Sequence, residues 1–157
     1  MNYQENVSTD AETKNRKDKK VYDQKPTAAF IGAAWSTLIA GMVSYCIGLW
    51  NADMQLNEKG YYFTILLFGL YAAVSVQKAV RDRLEGVPVT DMYYSISWFA
   101  ALAAVVLLVV GLWNADLLLS EKGFYAMSFL LSLFSAIAVQ KNTRDIQYIT
   151  RNNTDNE

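Results

Sequence analysis

Four long runs without a charged residue constrain this chain more than any other feature of its sequence. They cover residues 26–50, 61–77, 92–113 and 124–140, and charged segments separate them. A helix needs about 20 consecutive apolar residues to cross the hydrocarbon core of a bilayer. The helices of a soluble four-helix bundle would instead carry a polar stripe at the 3.6-residue period, and WFAALAAVVLLVVGLW (98–113) has none. The runs therefore predict an all-α polytopic membrane protein with four transmembrane helices.

The chain also contains one helical hairpin twice. Residues 35–82 align with residues 98–145 at a constant offset of 63 without a gap, and 22 of the 48 aligned residues are identical. Each hairpin has two spans, so both copies insert with the same orientation, and the axis that relates them lies along the membrane normal. We therefore predict two tandem helical-hairpin repeats, residues 27–86 and 87–148, between a disordered cytoplasmic tail, 1–26, and a short cytoplasmic tail, 149–157.

The basic residues predict the orientation of the helices. Of the 14 Lys and Arg residues, 12 lie in the two tails and in the connection between the hairpins. Only Lys59 and Lys122 lie in the connections inside the hairpins. Since basic residues accumulate on the cytoplasmic side, both termini should be cytoplasmic and the two connections inside the hairpins should face outward.

Those outward connections repeat the same polar motif. GLWNADMQLNEKGYY (48–62) becomes GLWNADLLLSEKGFY (111–125) in the second copy, and we call residues 50–59 and 113–122 the WNAD loops. Asn51 and Asn114 are expected to close the preceding helices, while Asn57 and Ser120 are expected to N-cap the next ones. Glu58 and Glu121 then fall in the first helical turn, where a negative charge is favourable. Trp50 and Trp113 are expected at the bilayer interface.

The charges of the WNAD loops leave two interpretations open. Asp53 could lie near Lys122 and Asp116 near Lys59, so that the loops form a clasp, or the loops could together recognise a partner in the cell envelope. The candidate interaction residues are the same under both interpretations: Asn51, Asp53, Glu58, Lys59, Asn114, Asp116, Glu121 and Lys122.

Small and amide residues spaced four apart predict where the helices pack. Helix backbones approach closely in lipid where small residues lie, and polar side chains can bond across the contact. The predicted seam joins the second and fourth spans, with the two glutamines bonded to each other, and consists of Gly69, Ala73, Gln77, Ser132, Ala136 and Gln140. A further stripe on the first span comprises Ala40, Ser44 and Gly48. Beyond the seam, ion pairs are predicted between Lys78 and Asp82 and between Lys141 and Asp145.

The two WNAD motifs, together with VQKAVRD and VQKNTRD after them, closely resemble the YiaA/YiaB family of inner-membrane proteins from Gram-negative bacteria. The signature of that family is a unit of two transmembrane helices with a characteristic linking section. The resemblance covers residues 30–145 and implies a four-helix protein of the bacterial inner (plasma) membrane. It implies no reaction.

The side chains predict a protein without enzymatic activity. There is no His, Cys46 is the only Cys, and the four spans contain no ionisable Asp, Glu, Lys or Arg. We therefore predict no catalytic residue, no cofactor and no metal site. The expected partners are the lipid bilayer and an envelope protein or a second copy, but not nucleic acid. A structural or interaction role in the cell envelope or stress response is the favoured function, and a small facilitator or channel is the alternative.

Overall fold

The computed structural model describes residues 26–154. Over this range it contains four α-helices: α1 Ala28–Asn51, α2 Leu56–Leu84, α3 Asp91–Asn114 and α4 Leu119–Thr154. Each is long and apolar enough to cross a membrane, so the all-α fold with four spans is confirmed. The predicted N-terminal tail, apart from residue 26, and the last three residues lie outside the described part of the chain.

The helix boundaries repeat with the sequence. α1 and α3 begin and end at equivalent residues 63 positions apart, and α2 and α4 begin at equivalent residues. α4 then continues through Thr154, which is seven residues past the position equivalent to the end of α2. The helix therefore extends beyond the boundary that we predicted at residue 148.

The connection between the hairpins is a well-defined helix stop. Gly86 has a φ of 74°, a left-handed conformation that glycine adopts without a steric penalty. The Val87 N–H donates to the Asp82 carbonyl at 2.8 Å, and the Gly86 N–H donates to the Arg83 carbonyl at 3.4 Å. These two bonds form a Schellman motif. Thr90 then N-caps α3 by accepting a hydrogen bond from the Tyr93 N–H at 3.3 Å.

The first helix of each repeat packs on the second helix of the other repeat. A Cβ atom on Gly48 of α1 would lie 2.6 Å from the Phe124 ring of α4, and a Cβ atom on Gly111 of α3 would lie 2.7 Å from the Tyr61 ring of α2. The two contacts are related by the offset of 63 in both partners. α1 therefore packs on α4 as α3 packs on α2, within the compact unit formed by residues 32–140.

Between these two helix pairs, α2 and α4 meet at the centre of the same unit. The equivalent residues Tyr62 and Tyr125 stack on each other with ring centroids 6.1 Å apart and an interplanar angle of 19°. Contact between equivalent residues puts the pseudo-two-fold axis between these two helices. The buried core around it comprises Tyr45, Leu49, Tyr62, Ile65, Leu66, Ala104, Leu108, Leu112, Tyr125 and Phe129.

The stripe predicted on the first span is wrong in part. Ala40 is exposed and Ser44 is half-buried, whereas Gly48 does pack on α4. The buried face of α1 comprises Ala34, Gly41, Tyr45 and Leu49. The face is shifted because the large Tyr45 side chain occupies the core, which turns Ala40 toward the lipid.

The ion pairs predicted beyond the seam are also wrong. Arg81 Nη2, rather than Lys78, binds Asp82 Oδ1 at 2.6 Å. In the second repeat Arg144 Nη2 contacts Asp145 Oδ1 at 3.2 Å. The Arg side chain reaches the carboxylate next to it along the chain, while the Lys78 side chain lies on the exposed side of α2.

Candidate functional site: the WNAD loops

The first and third helices end in the same way. Asn51 Nδ2 donates to the Ile47 carbonyl, and Asn114 Nδ2 donates to the Val110 carbonyl, each at 2.8 Å. Each amide therefore adds a second hydrogen bond to a carbonyl that lies one turn before the end of its helix. The two asparagines do close their helices as expected, but they do so through the side chain, since no non-glycine residue in the described range has a positive φ.

The helices that follow are capped by glutamate. Glu58 Oε2 accepts from the Gln55 N–H, and Glu121 Oε2 accepts from the Leu118 N–H, both at 2.8 Å. Both glutamates lie in the first turn, as predicted. The predicted N-caps Asn57 and Ser120 are wrong, because α2 begins at Leu56 and α4 at Leu119, so both residues already lie inside the helices.

The WNAD loops protrude little from the helix ends. Of the residues in the WNAD loops, only 52–55 and 115–118 lie outside the helices, since the NEK and SEK segments are already helical. The largest exposed side chains nearby are apolar. The indoles of Trp50 and Trp113 are both 84% exposed, as suits residues that lie at the membrane–water interface.

The charged side chains of the loops do not pair with each other. Lys59 Nζ donates to the Trp50 carbonyl at 3.0 Å and so joins the two ends of its own loop. Within residues 26–154, Asp53 and Asp116 take part in no ion pair, and neither does Lys122. The acidic and basic clasp between the loops does not form in this structure, so these charges are available to another molecule.

A layer of tyrosines lies directly below the loops, and sequence reasoning missed it. Tyr45 is fully buried, and its hydroxyl donates to the Tyr62 carbonyl at 3.1 Å. Tyr61 reaches from α2 to α3 and donates to the Leu107 carbonyl at 2.8 Å. In lipid, such bonds between helices help to hold the bundle together. The repeated YY and FY pairs after the EKG motif were the signal that could have revealed this layer.

Two of the six predicted seam residues, Gly69 and Ser132, lie in different helix contacts. Gly69 faces Phe129, whose Cζ would lie 2.6 Å from a Cβ at that position, whereas Ser132 faces Gly41 of α1. Ala73 is buried, and the other three, Gln77, Ala136 and Gln140, are half-buried. The predicted bond between the glutamines does not form: the buried Gln140 Oε1 has no hydrogen-bond partner in the described structure.

The two outer interfaces of the bundle differ in polarity. Between α1 and α4, Ser135 Oγ donates to Thr37 Oγ1 at 2.9 Å, and Ser132 Oγ donates to the Ser128 carbonyl at 2.7 Å. The residues equivalent to these three serines in the interface between α2 and α3 are Ile65, Gly69 and Ala72. The duplicated hairpins have therefore diverged where they pack, although their loops have kept the same sequence.

This combination of two tandem hairpins, mutually packed and bearing matched loops, defines a polytopic membrane protein of the two-helix-repeat class. A family model described as the yiaA/B two helix domain matches the chain twice, over residues 30–82 and 93–145. The chain therefore belongs to the YiaA/YiaB two-helix-domain family, and it is a multi-pass protein of the inner membrane.

Individual relatives agree with this assignment. The chain is 56% identical over 128 residues to inner membrane protein YiaA of Escherichia coli K12. This alignment covers 82% of the present chain and 87% of the relative. It is 30% identical over 99 residues to inner membrane protein YiaB of the same organism, covering 61% and 81%. It is also 42% identical over 65 residues to the uncharacterized membrane protein YubF of Bacillus subtilis 168, covering 41% and 75%. No solved structure matches the chain.

Proposed function

We propose that this protein is a non-enzymatic interaction component of the inner membrane that serves the cell envelope or its stress response. In this proposal both termini are cytoplasmic, and the WNAD loops recognise an envelope protein at the outer face. The observation that carries this proposal is the sequence identity of the two repeats at the charged positions of the WNAD loops. The loops keep the same charged residues in both copies, and within the described residues 26–154 Asp53, Asp116 and Lys122 form no ion pair.

The packing of the bundle centre supports an interaction role over transport. Tyr62 and Tyr125 stack across the pseudo-two-fold axis, and the fully buried Phe129 fills the space beside Gly69 one turn further in. A pathway between two parallel repeats would be expected to follow this axis. Aromatic side chains occupy it instead.

The distribution of charge supports the proposed orientation. In the sequence, 12 of the 14 Lys and Arg residues lie in the two tails and in the connection between the hairpins, which favours placing the helix ends opposite the WNAD loops in the cytoplasm. Ion pairs tie several of them to nearby carboxylates, including Arg81 to Asp82 and Arg83 to Asp91. Arg83 also lies over the Tyr94 ring, 4.5 Å from its centroid.

A facilitator or channel is the second candidate, and the polar interface between α1 and α4 is the observation that favours it. Thr37, Ser128, Ser132 and Ser135 line that interface with hydroxyl groups. Each of these hydroxyls donates to a carbonyl or to another hydroxyl, however, and such bonds within and between helices are the common role of Ser and Thr in membrane spans.

Site-specific crosslinking in intact cells tests the proposed function. We expect a photoreactive amino acid at Asp53 to capture an envelope protein, and the same amino acid at Asp116 to capture the same protein, because the two loops present equivalent surfaces. A matched variant with the photoreactive amino acid at Glu85, in the connection between the hairpins, should not capture it.

Two results would contradict the proposed function. One is the absence of any protein adduct at both loop positions. The other is capture of the same partner from Glu85 as efficiently as from the loops, because Glu85 belongs to the face assigned to the cytoplasm.

A further inference from the structure

We infer that the outward face of α2 is a dimerisation surface that pairs with the same face of a second copy of this chain. Its residues are all exposed and are spaced alternately four and three apart: Gly60, Thr64, Leu67, Tyr71 and Val74. This spacing repeats every seven residues, which is the pattern of helices that pack side by side in left-handed bundles. The surface is separate from the WNAD loops, so the inference goes beyond the function proposed above.

Tyr71 places an unpaired hydroxyl in the hydrocarbon core. It follows Lys59 by 12 residues and precedes Lys78 by seven, which at 1.5 Å per residue puts it about 18 Å and about 10 Å from these charged ends. Its side chain is 68% exposed, and its hydroxyl has no hydrogen-bond partner in the described part of the chain. An unpaired hydroxyl is costly in hydrocarbon. A helix of another molecule in the bilayer can supply the partner.

The equivalent face of α4 serves as an internal comparison. Phe134 occupies the position of Tyr71 and is 70% exposed, nearly the same fraction, and Met127 occupies the position of Thr64. The repeat thus keeps two lipid-facing positions but carries hydroxyls only on α2. Since Met127 and Phe134 have no hydroxyl that needs a hydrogen-bond partner, the difference at these two positions selects α2 as the surface that pairs.

Gly60 adds a steric argument. A Cβ atom there would meet nothing within 4 Å, so packing inside the chain does not require a glycine, although glycine weakens a helix relative to alanine. The close approach of a helix backbone from a second molecule would account for a glycine at this position. Gly123 of α4 is equally open, and for this reason the hydroxyls, rather than the glycine, distinguish the two faces.

A second copy is the occupant that fits these residues. Two copies in one membrane share the same orientation, so a two-fold axis along the membrane normal brings their α2 helices together in parallel. Tyr71 then meets Tyr71, and Thr64 meets Thr64, at equal depth. A hydroxyl can either donate or accept, so one Tyr71 hydroxyl can donate to the other and the contact across the two-fold axis gives each of them a partner.

Disulfide crosslinking in native membranes tests the surface. In a chain with Cys46→Ala, we expect Tyr71→Cys to form a disulfide-linked dimer under mild oxidation, because facing residues in a parallel helix pair approach within disulfide range. The matched variant Phe134→Cys should remain monomeric. Three results would overturn the inference: no dimer from Tyr71→Cys, equal dimer from Phe134→Cys, or crosslinking of Tyr71→Cys only to a different protein.

A second variant tests the hydroxyl without removing the ring. Tyr71→Phe retains the apolar contact but removes the hydrogen bond between the two Tyr71 hydroxyls, so the dimer association constant should fall about threefold. Phe134→Tyr should leave it unchanged. The dimer fraction across a detergent dilution series measures both. An unchanged association constant for Tyr71→Phe would overturn the role of the hydroxyl even if the crosslink forms.

Discussion

Truncation of Phe129 to alanine should lower the free energy of unfolding by about 3 kcal/mol or more. This ring is fully buried and lies against Gly69 of the neighbouring central helix, where a Cβ atom would be only 2.6 Å from Phe129 Cζ. The glycine has no side chain that could move into the void. Lipid offers no hydrophobic driving force between helices, so the loss of packing contacts sets the cost.

Thermal unfolding in detergent, followed by circular dichroism, measures this loss. The matched control is Phe134→Ala on the same helix, because that ring is 70% exposed and its removal leaves no internal cavity. We expect the control to unfold close to the temperature of the unsubstituted protein. Equal losses at the two positions would mean that α4 does not present its Phe129 face to α2.

Enlarging Gly41 to leucine should separate α1 from α4. A Cβ atom at this position would lie 2.7 Å from Ser132 Oγ, 3.1 Å from the Ser132 backbone nitrogen and 3.3 Å from the Ser128 carbonyl oxygen. Two of these three atoms belong to the backbone and cannot rotate away. Overpacking of this kind costs about 1 to 3 kcal/mol.

The control for this substitution is Gly123→Leu, since a Cβ atom on Gly123 meets nothing within 4 Å. Limited proteolysis and thermal unfolding in detergent should both show a loosened bundle for Gly41→Leu and an intact one for Gly123→Leu. If Gly41→Leu is as stable as the control, α1 does not approach α4 in the way described.

The number of spans and their repetition could be predicted from the sequence because lipid imposes them. A helix that crosses a bilayer must be long and apolar, and a duplicated hairpin keeps a constant offset. Local chemistry at the helix ends was also predictable. Glu58 and Glu121 lie in the first turns and cap them.

The buried faces of the helices were less predictable. A helix that is apolar on all sides has no polar stripe that separates core from lipid, so hydropathy does not say which face is buried. The sizes of the individual side chains decide which face is buried. Tyr45 fills the core and Gly41 admits Ser132, and together they turn α1 away from the predicted stripe that included Ala40.

The exchange of helix partners between the repeats was not predictable either. Loops of four residues are compatible with a hairpin packed on itself and with one whose helices pack on another hairpin. Only contacts distant in sequence distinguish the two, such as Gly48 on Phe124 and Gly111 on Tyr61. The clasp between the loops, one of the two interpretations left open by the sequence, is also not seen in the structure. Lys59 donates to the Trp50 carbonyl of its own loop instead, and the loop lengths did not reveal this contact.

The most direct test of this partner exchange is a pair of disulfide experiments in a chain with Cys46→Ala. Thr37 Oγ1 and Ser135 Oγ are 2.9 Å apart, so cysteines at these two positions can meet with disulfide geometry. Ala72 occupies the position equivalent to Ser135 in the first repeat. We expect Thr37→Cys with Ser135→Cys to form an intramolecular disulfide under mild oxidation, and Thr37→Cys with Ala72→Cys to form none. A disulfide in the second pair and none in the first would show that each hairpin packs on itself, and it would contradict the account.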